Sequence, residues 1–578
     1  MSAAVARDPD IQSSPEEGRA YRQGIYRPVD TESLPDAPRT SDFPDPGSGP
    51  PYHRMDDVPR VPRLRHVVGP SVIALGVGLG AGEFLLWPNL IAVNGFSIWW
   101  LFWVGLLTQF VVIGEIERWT IATGESVFNG MARLTKRPFW PWFFLAATLV
   151  SFFWPGWAAE SADFTRNSVN ALAGRVVLPD WQPLALVMLA SIWCALAISR
   201  VVYNALEKFE IALVIVFFPL LFLALVAVGV LPGDLAELAR GAASVGQAPR
   251  ALFSGDQFPT LLIAVAYAGS GGTLLLAQSL WIRDKGFGMG AYQGRIAGIR
   301  GENEPVSERG FAFSTEDPVA RVRFGRWMAL AERELFVTFV ILILFSVVIT
   351  TLLVAETVGT GRADLAGNLT GMVLEQAEIL RARAGPWLEI AFLLGGALVL
   401  FSTQVGIVDI VTRITGDILY ERVGRRRRTL TLKRTFLILL TLFALSSMGV
   451  VLLSWLAGES LGGLQPDFLV LIAGPFTITS MVCMSGVIAI MNTRHLPPAA
   501  RMPRWKLLGM YWSMVLWGWF TAEQVTRTLL QHAFGLSGPL VTTIALHPVR
   551  VVAYAVWLAG LGWVVARTVG PGLVRRDA

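Results

Sequence analysis

Long apolar runs separated by short polar loops fill most of the chain after residue 66. Twelve of these runs are long enough to cross a bilayer as helices, since about twenty residues span its hydrocarbon core. We place them near 67–92, 97–117, 140–162, 183–203, 209–231, 258–281, 334–356, 387–412, 435–456, 467–491, 507–530 and 548–569. The pattern predicts an all-α polytopic membrane protein of about 12 transmembrane helices.

Glycine interrupts two of these runs. In the first run, glycine occupies every second position of 76–82, and a carboxylate follows at Glu83. In the sixth run, residues 268–273 read Ala-Gly-Ser-Gly-Gly-Thr. Because glycine loses more backbone freedom on folding than alanine does, both stretches disfavour a regular helix. Two broken spans at matching places predict a transporter built from inverted repeats, with its binding site at the breaks. Close helix packing is the other interpretation of the glycines.

Polar sequence flanks and divides the spans. Residues 1–60 are rich in proline and acids and lack an apolar core, which predicts a disordered cytoplasmic tail. Residues 283–333 form a long cytoplasmic linker, whose end at 319–334 predicts an amphipathic helix lying on the membrane. Arginine and lysine are concentrated in the loops on one side. We therefore expect both termini in the cytoplasm and the protein in the cytoplasmic membrane.

Composition agrees with the apolar pattern. The chain is 53% hydrophobic and 16% charged, whereas soluble domains are about a quarter charged. The net charge of +5 comes mainly from loop arginines, which we interpret as a topology signal and not as nucleic-acid binding. The two cysteines, Cys194 and Cys483, lie in separate apolar runs and predict no disulfide framework or thiolate metal site. The sequence shows no nucleophile–base pair and no His/Cys/Asp metal cluster, so we do not expect an enzyme.

Several short stretches resemble the Nramp (natural-resistance-associated macrophage protein) family of divalent-metal transporters. They are Gly69-Pro70 in the first span, Gln109-Phe110, Thr123-Gly124-Glu125, and the Asn-Thr-Arg-His-Leu-Pro stretch at 492–497. The resemblance covers residues 67 to 500. It implies the leucine-transporter type of fold and proton-linked uptake.

That fold divides the chain into two inverted repeats. The resemblance implies that spans 1–5 (67–231) form the first repeat and spans 6–10 (258–491) the second. Spans 1 and 6 are broken in such a fold. Spans 11 and 12 (507–569) would be peripheral.

The metal-binding motifs of the family are not retained. Its first-span motif is Asp-Pro-Gly-Asn, where this chain has Gly80-Ala81-Gly82-Glu83. Its sixth-span motif is Met-Pro-His-Asn, and the matching positions here are Ser270-Gly271-Gly272-Thr273. Without the methionine thioether, selectivity for manganese or iron over hard ions should not carry over. The expected substrate site is Gly80, Gly82, Glu83, Ser270, Gly271, Gly272 and Thr273, with Glu83 as the candidate metal ligand.

Two further pairs of polar residues suggest ion coupling. Glu160 and Asp163 lie three residues apart, on one helical face, and resemble with exchanged types the proton-carrying pair of the family. Solvent exposure near the outer surface is the other interpretation of this pair. Ser402 and Thr403 resemble the hydroxyls that complete a sodium site in sodium-coupled relatives of the fold.

Asp409 and Arg413, at i and i+4, predict an ion pair, with gating as a secondary role. The chain is thus predicted to be a secondary transporter that moves a small cation by alternating access. An all-oxygen site favours a hard ion such as magnesium over manganese or iron. The alternatives are a transporter of an organic solute, such as an amino acid or amine, and a transport-dead sensor or scaffold. The expected partners are the lipid bilayer, the cationic substrate and a coupling proton or sodium ion, with no further cofactor.

Overall fold

The computed structural model describes residue 29 and residues 31–64, 68–247, 252, 257–302, 304, 306–426, 430–458, 464–534 and 547–573. Residues 1–28 of the predicted tail lie outside the described residues. The described chain is helical almost throughout, which confirms the all-α polytopic class. Helices satisfy their own backbone hydrogen bonds, as a bilayer requires. Within the described ranges, nine helices are long and apolar enough to cross a membrane.

Helices stand at every predicted span. Spans 1 to 6 are Pro70–Asn94, Trp99–Thr123, Phe139–Phe152 with Gly156–Ala173, Gln182–Ile198, Val202–Val228, and Phe258–Ala266 with Ala277–Lys285. Spans 7 to 12 are Pro318–Thr357, Pro386–Arg422, Leu432–Ala457, Pro466–Arg494, Arg504–Phe534 and Pro548–Leu573. Shorter helices in the loops are Val127–Arg133, Pro232–Ala243 and Leu369–Ala384.

Span 8 is the centre of the bundle. It packs against spans 1, 3, 5 and 9 and against the loop helix Leu369–Ala384. Phe84 of span 1 joins these elements, since its ring centroid lies 6.3 Å from Phe164, 6.1 Å from Phe217 and 5.6 Å from Phe392. Spans 11 and 12 pack on span 10. The repeat boundaries at 67–231, 258–491 and 507–569 stay predictions.

Span 3 is longer than its predicted range of 140–162. Pro155 follows the first helix, Phe139–Phe152, and a second helix, Gly156–Ala173, then continues. Proline lacks the backbone N–H that a continuous helix needs, so the span is divided there. The predicted relay residues therefore lie in the second helix.

Residues 31–62, here called the N-terminal segment, are folded against the helix bundle, so the predicted disorder is wrong for them. The strand β1 (His53–Arg54) pairs in parallel with β2 (Phe311–Ala312) of the linker. Arg323 Nη1 donates to Asp57 Oδ1 at 2.7 Å. The composition, rich in proline and acids, predicted disorder because the neighbouring sequence offers these charges no partners. In the fold, the partners come from distant parts of the chain.

The predicted surface helix at 319–334 is instead the start of span 7. The helix runs from Pro318 to Thr357 through a π-helical stretch at Phe336–Ile341. Its apolar face packs on the N-terminal segment: Trp327 is fully buried and donates its indole N–H to Pro59 O at 2.8 Å. Because protein covers this apolar face, the helix does not have to lie on the membrane surface to bury it.

Candidate functional site

Span 1 departs from regular α-helix, but not by the unwinding expected from its glycines. Residues Leu79–Leu86 are π-helical, and the span remains wound from Pro70 to Asn94. None of its four glycines has a positive φ. The glycines therefore do not supply special backbone angles. They provide space, which is the packing interpretation.

Each of three glycines in span 1 faces a different neighbouring span. A Cβ at Gly76 would collide with the Glu210 carboxylate of span 5, and one at Gly80 with the Thr403 hydroxyl of span 8. A Cβ at Gly82 would collide with the Tyr267 carbonyl oxygen of span 6. Side chains and backbone from three spans thus approach the backbone of span 1 directly.

The break in span 6 is confirmed. The chain leaves helical geometry after Ala266, and φ is +125° at Gly269, +70° at Gly271 and +55° at Gly272. These angles lie in the left-handed region, which glycine adopts without a Cβ penalty. The glycines of span 6 therefore act through backbone conformation, unlike those of span 1.

Gln109 of span 2 caps both sides of this break. Its Nε2 donates to Ala266 O at 2.9 Å, and its Oε1 accepts from Gly271 N at 3.2 Å. A primary amide is both donor and acceptor, so one side chain serves both free backbone groups. Sequence reasoning gave Gln109 no such role. A lone amide side chain in an apolar run was the available signal.

Glu83 lies at the centre of this region and is fully buried. Its carboxylate is beside the backbone amide of Gly269. Within the described residues, neither carboxylate oxygen makes a hydrogen bond of ordinary geometry. The Glu83 backbone carbonyl accepts from Thr350 Oγ1 at 2.7 Å, which fixes the main chain there. The side chain therefore has unused acceptor capacity next to broken backbone.

The two predicted hydroxyl partners of Glu83 are engaged elsewhere. Ser270 Oγ donates to Ala74 O of span 1 at 2.7 Å. Thr273 Oγ1 accepts from Thr148 Oγ1 of span 3 at 2.9 Å. Among the residues described, no group of three or more His, Cys, Asp and Glu side chains could hold a metal ion. A cation at Glu83 would therefore depend on backbone oxygens for most of its ligands.

A second buried carboxylate, Glu210 of span 5, was not predicted as a site residue. Ser402 Oγ donates to Glu210 Oε2 at 2.6 Å, while Oε1 has no partner among the described residues. Thr403 Oγ1 donates to Val77 O at 3.1 Å, just before the π-helical stretch begins at Leu79. The predicted pair Ser402 and Thr403 thus joins span 8 to a carboxylate on one side and to span 1 carbonyls on the other. Glu210 was missed because it lies at the predicted start of an apolar run.

Glu160 and Asp163 have different partners. Glu160 is fully buried, which excludes simple solvent exposure, and its Oε2 accepts from Thr370 Oγ1 at 3.0 Å. Thr370 Oγ1 also lies 3.1 Å from Asp467 Oδ1. Asp163 pairs with Arg166 at 2.6 Å. The nearest carboxylate partner of Glu160 is therefore at the start of span 10, and the relay role of the two predicted residues stays a prediction.

Asp409 and Arg413 form the predicted ion pair. Arg413 Nε and Nη2 each donate to an Asp409 oxygen at 3.0 Å. Arg413 also contacts Asp284, at the end of span 6, and Trp281 Nε1 donates to Asp409 at 3.2 Å. The pair is fully buried. The pair connects span 8 to the second half of span 6. A gating role would depend on this connection.

Another buried network supports the beginning of span 1. Glu334 Oε1 of span 7 accepts from Gly69 N at 3.1 Å and from Ser71 N at 3.2 Å. Gln278 Nε2 of span 6 donates to Ser71 Oγ at 3.2 Å and to Glu117 Oε1 at 2.8 Å. Glu334 thus satisfies amides that would otherwise be free at a helix start. The network holds spans 1, 2, 6 and 7 together.

The fold is similar to that of a solved transporter. A crystal structure of a mutant Eremococcus coleocola manganese transporter aligns with a TM-score of 0.58, covering 89% of this chain and 98% of that chain at 13% identity. The same transporter in complex with an aromatic bis-isothiourea substituted compound gives a TM-score of 0.57, covering 89% and 97% at 11% identity. At this identity the likeness establishes the fold alone. No family model and no curated protein matches the chain.

Proposed function

We propose that this protein is a secondary transporter of a small cation and that Glu83 binds the positive charge beside the break in span 6. The observation that supports this most is the state of Glu83: it is fully buried, and within the described residues neither carboxylate oxygen makes a hydrogen bond of ordinary geometry. An ionised carboxylate without a partner inside a membrane protein is costly. A bound cation or proton removes that cost. The carboxylate is therefore suited to bind positive charge transiently.

The ligand set favours a hard cation. Glu83 is a single carboxylate, the backbone carbonyls of Tyr267 and Gly269 at the break in span 6 face span 1, and no thiol or imidazole cluster lies in the described part of the chain. Oxygen ligands suit hard ions such as magnesium, and without a thiol or thioether the site has no soft ligand that would select manganese or iron. The structurally similar protein is described as a manganese transporter. The similarity to this protein supports a cation as the substrate. We assign selectivity for manganese to that protein only.

We assign ion coupling to Glu210 with Ser402 and Thr403. A carboxylate, a hydroxyl and nearby span 1 carbonyls are the ligands of a sodium ion, and a proton on Glu210 would serve the same purpose. Movement of span 1 against span 8 would change this site and the Glu83 site together, since Thr403 bonds directly to span 1. That contact gives a physical reason for coupling. Glu160 with Asp163 would provide a proton route, and Asp409 with Arg413 a gate.

A second candidate is an organic solute, such as an amino acid. Two buried donors, Trp157 Nε1 and Gln404 Nε2, have no partner among the described residues. Gln404 Oε1 accepts from Ala158 N at 3.1 Å, which places its amide beside Trp157. The Trp157 ring centroid lies 5.8 Å from that of Tyr267, at the break in span 6. Unused donors beside aromatic rings would suit a solute carboxylate.

Cation-dependent stability of the full-length protein in detergent tests the proposal. The panel would contain magnesium, manganese, calcium, sodium, amino acids and polyamines. A cation at a hundred times its Kd should stabilise the fold by about 2.7 kcal/mol. Glu83→Gln should abolish this effect, because it keeps the shape and removes the charge. Glu378→Gln, at an exposed position of the loop helix, is the matched control and should retain it.

Flux into proteoliposomes completes the test. We expect uptake of the stabilising cation in the wild type and at least a tenfold loss in Glu83→Gln. Stabilisation by organic solutes alone would favour the second candidate. Absence of any stabilisation and of any flux would reject transport and favour a sensor or scaffold.

A further inference from the structure

A polar cavity of about 300 Å³ lies between the N-terminal segment and the end of span 10. The N-terminal segment contributes Arg39 and Asp45, and the turn after span 10 contributes His495 and Arg501, with Arg494 at the last position of the helix. The cavity is outside the transport site described above. Nothing in the proposed transport function uses it.

Positive charge predominates in this cavity. Among the described residues that line it, Arg39, Arg494 and Arg501 are basic and Asp45 is acidic, and Asp45 Oδ1 accepts from Gly47 N at 3.0 Å. Arg494 uses Nε to donate to Arg567 O at 2.7 Å, and Arg501 uses Nε to donate to Leu496 O at 2.9 Å. Within the described residues, Arg39 and Arg494 have no acidic partner. Such guanidinium groups are available to an anion.

We propose that this cavity binds a phosphate group. The planar guanidinium forks of arginine match phosphate oxygens, and several arginines around one cavity favour a group with more than one negative charge. The cavity volume is at the lower end for small-molecule sites. Arg494 is bonded to the end of span 12, where a phospholipid headgroup would also lie. The phosphate therefore comes either from a soluble anion or from a lipid headgroup.

Binding would hold the N-terminal segment in place. Arg39 belongs to the segment, whereas Arg494 and Arg501 belong to the membrane domain, so a shared phosphate bridges the two. Around the cavity the two are already linked: Asp45 N donates to His495 O at 2.8 Å, the His495 ring lies 3.0 Å from Asp45 O, and Arg133 Nη1 donates to Pro50 O at 2.7 Å. A phosphate would add charge-assisted hydrogen bonds on both sides of this link.

Trypsin cleavage after Arg39 in the full-length protein measures this effect, with the product identified by mass spectrometry. One arm titrates inorganic phosphate against sodium chloride of equal ionic strength in detergent. The other arm compares nanodiscs of phosphatidylcholine with nanodiscs that also contain phosphatidylglycerol. At ten times the Kd, the ligand should slow cleavage about elevenfold, because it reduces the population of undocked segment by that factor. The arm that responds identifies the source of the phosphate.

Two variants make the test specific. Arg494→Gln should lose the protection, and Arg39→Lys should weaken it several-fold while keeping an exposed position and a trypsin site. Arg137→Gln, an exposed arginine elsewhere in the loops, should behave as the wild type does. The proposal is overturned if neither arm gives saturable protection, or if both cavity variants are protected as strongly as the wild type.

Discussion

Glu210 of span 5 and Ser402 of span 8 share a hydrogen bond of 2.6 Å directly beside the glycine backbone of span 1. They are separated by 192 residues in sequence. The contact brings a buried carboxylate to the place where the structure also positions the Thr403 hydroxyl and the carbonyl of Val77.

Replacing Glu210 with glutamine should remove the coupling ion without removing the fold. The amide can still bond to Ser402, but it has no negative charge for a sodium ion or proton. We expect the dependence of the thermal unfolding midpoint on sodium to disappear in Glu210→Gln, and its dependence on pH to decrease by the contribution of this carboxylate. Ser402→Ala should weaken sodium affinity by about tenfold, since it removes one hydroxyl that interacts with a charged group, worth about 1.5 kcal/mol. Unchanged sodium and pH dependence in Glu210→Gln would reject this site.

Gly76→Ala should destabilise the protein by about 1–3 kcal/mol, because the new methyl group would overlap the Glu210 carboxylate. The matched control is Gly114→Ala in span 2, where a Cβ would meet only the end of a lysine side chain, at 3.3 Å. That change should be neutral or slightly stabilising, as alanine favours helix over glycine. Chemical denaturation in detergent compares the two. Equal effects would mean that the glycines of span 1 are not needed for close packing.

Arg413→Gln should cost about 3–5 kcal/mol of stability, because it leaves the buried Asp409 carboxylate without its cation and Asp284 with only Arg283, at 3.9 Å. Arg413→Lys should recover only part of this, since lysine cannot donate the paired hydrogen bonds. The control is Arg381→Gln, which breaks a half-exposed pair with Glu389 and should cost below about 1 kcal/mol. Unfolding free energies from denaturant titration separate these cases. A small loss of unfolding free energy in Arg413→Gln would show that stability does not depend on the ion pairs of Arg413 with Asp409 and Asp284.

Gln109→Leu should loosen the break in span 6. It leaves Ala266 O and Gly271 N without their partner, and each buried unsatisfied group costs about 1–3 kcal/mol. We expect the Gly271 amide to exchange at least tenfold faster in hydrogen-exchange mass spectrometry. Gln109→Glu should protect Gly271 better than leucine does, because a carboxylate can still accept from the amide. Equal exchange in the wild type and Gln109→Leu would contradict the capping role.

Docking of the N-terminal segment should weaken in acid. Burial and the Arg309 guanidinium lower the pKa of His53 from 6.5, against the opposing charge of Asp36. Arg309 Nη2 donates to His53 Nδ1 at 3.3 Å, and protonation of that nitrogen breaks the bond. A lowered pKa means that the neutral form favours docking, so docking is strongest above pH 6.5 and is lost as pH falls below it.

Hydrogen exchange of β1, corrected for intrinsic rates, measures this loss. One histidine gives up to about tenfold more exchange for each pH unit below its ordinary pKa. His53→Gln should reduce the pH dependence, because a neutral amide can still accept from Arg309. Some dependence should remain, since burial also lowers the pKa of His495. Identical pH profiles for the wild type and His53→Gln would reject the role of His53.

The sequence predicted the positions of the spans because long apolar runs have few alternatives in a membrane protein. It predicted the break in span 6 for the correct reason, since Gly269, Gly271 and Gly272 adopt left-handed angles. The same reasoning applied to span 1 gave unwinding, whereas the span is π-helical and its glycines provide space. Helix propensity cannot distinguish these uses of glycine, because close packing depends on which neighbours face each glycine.

What the sequence by itself determined is local: apolar length, the conformational freedom of glycine, and pairs such as Asp409 and Arg413 one helical turn apart. Only the tertiary structure decided which distant groups meet. It placed Glu210 against Ser402 and Gln109 at the break, and it left the oxygens of Glu83 unpaired. It also folded the N-terminal segment onto the linker, where composition had indicated disorder. The physical reason is that burial and hydrogen-bond partners depend on contacts between residues far apart in the chain, which periodicity along one segment does not encode.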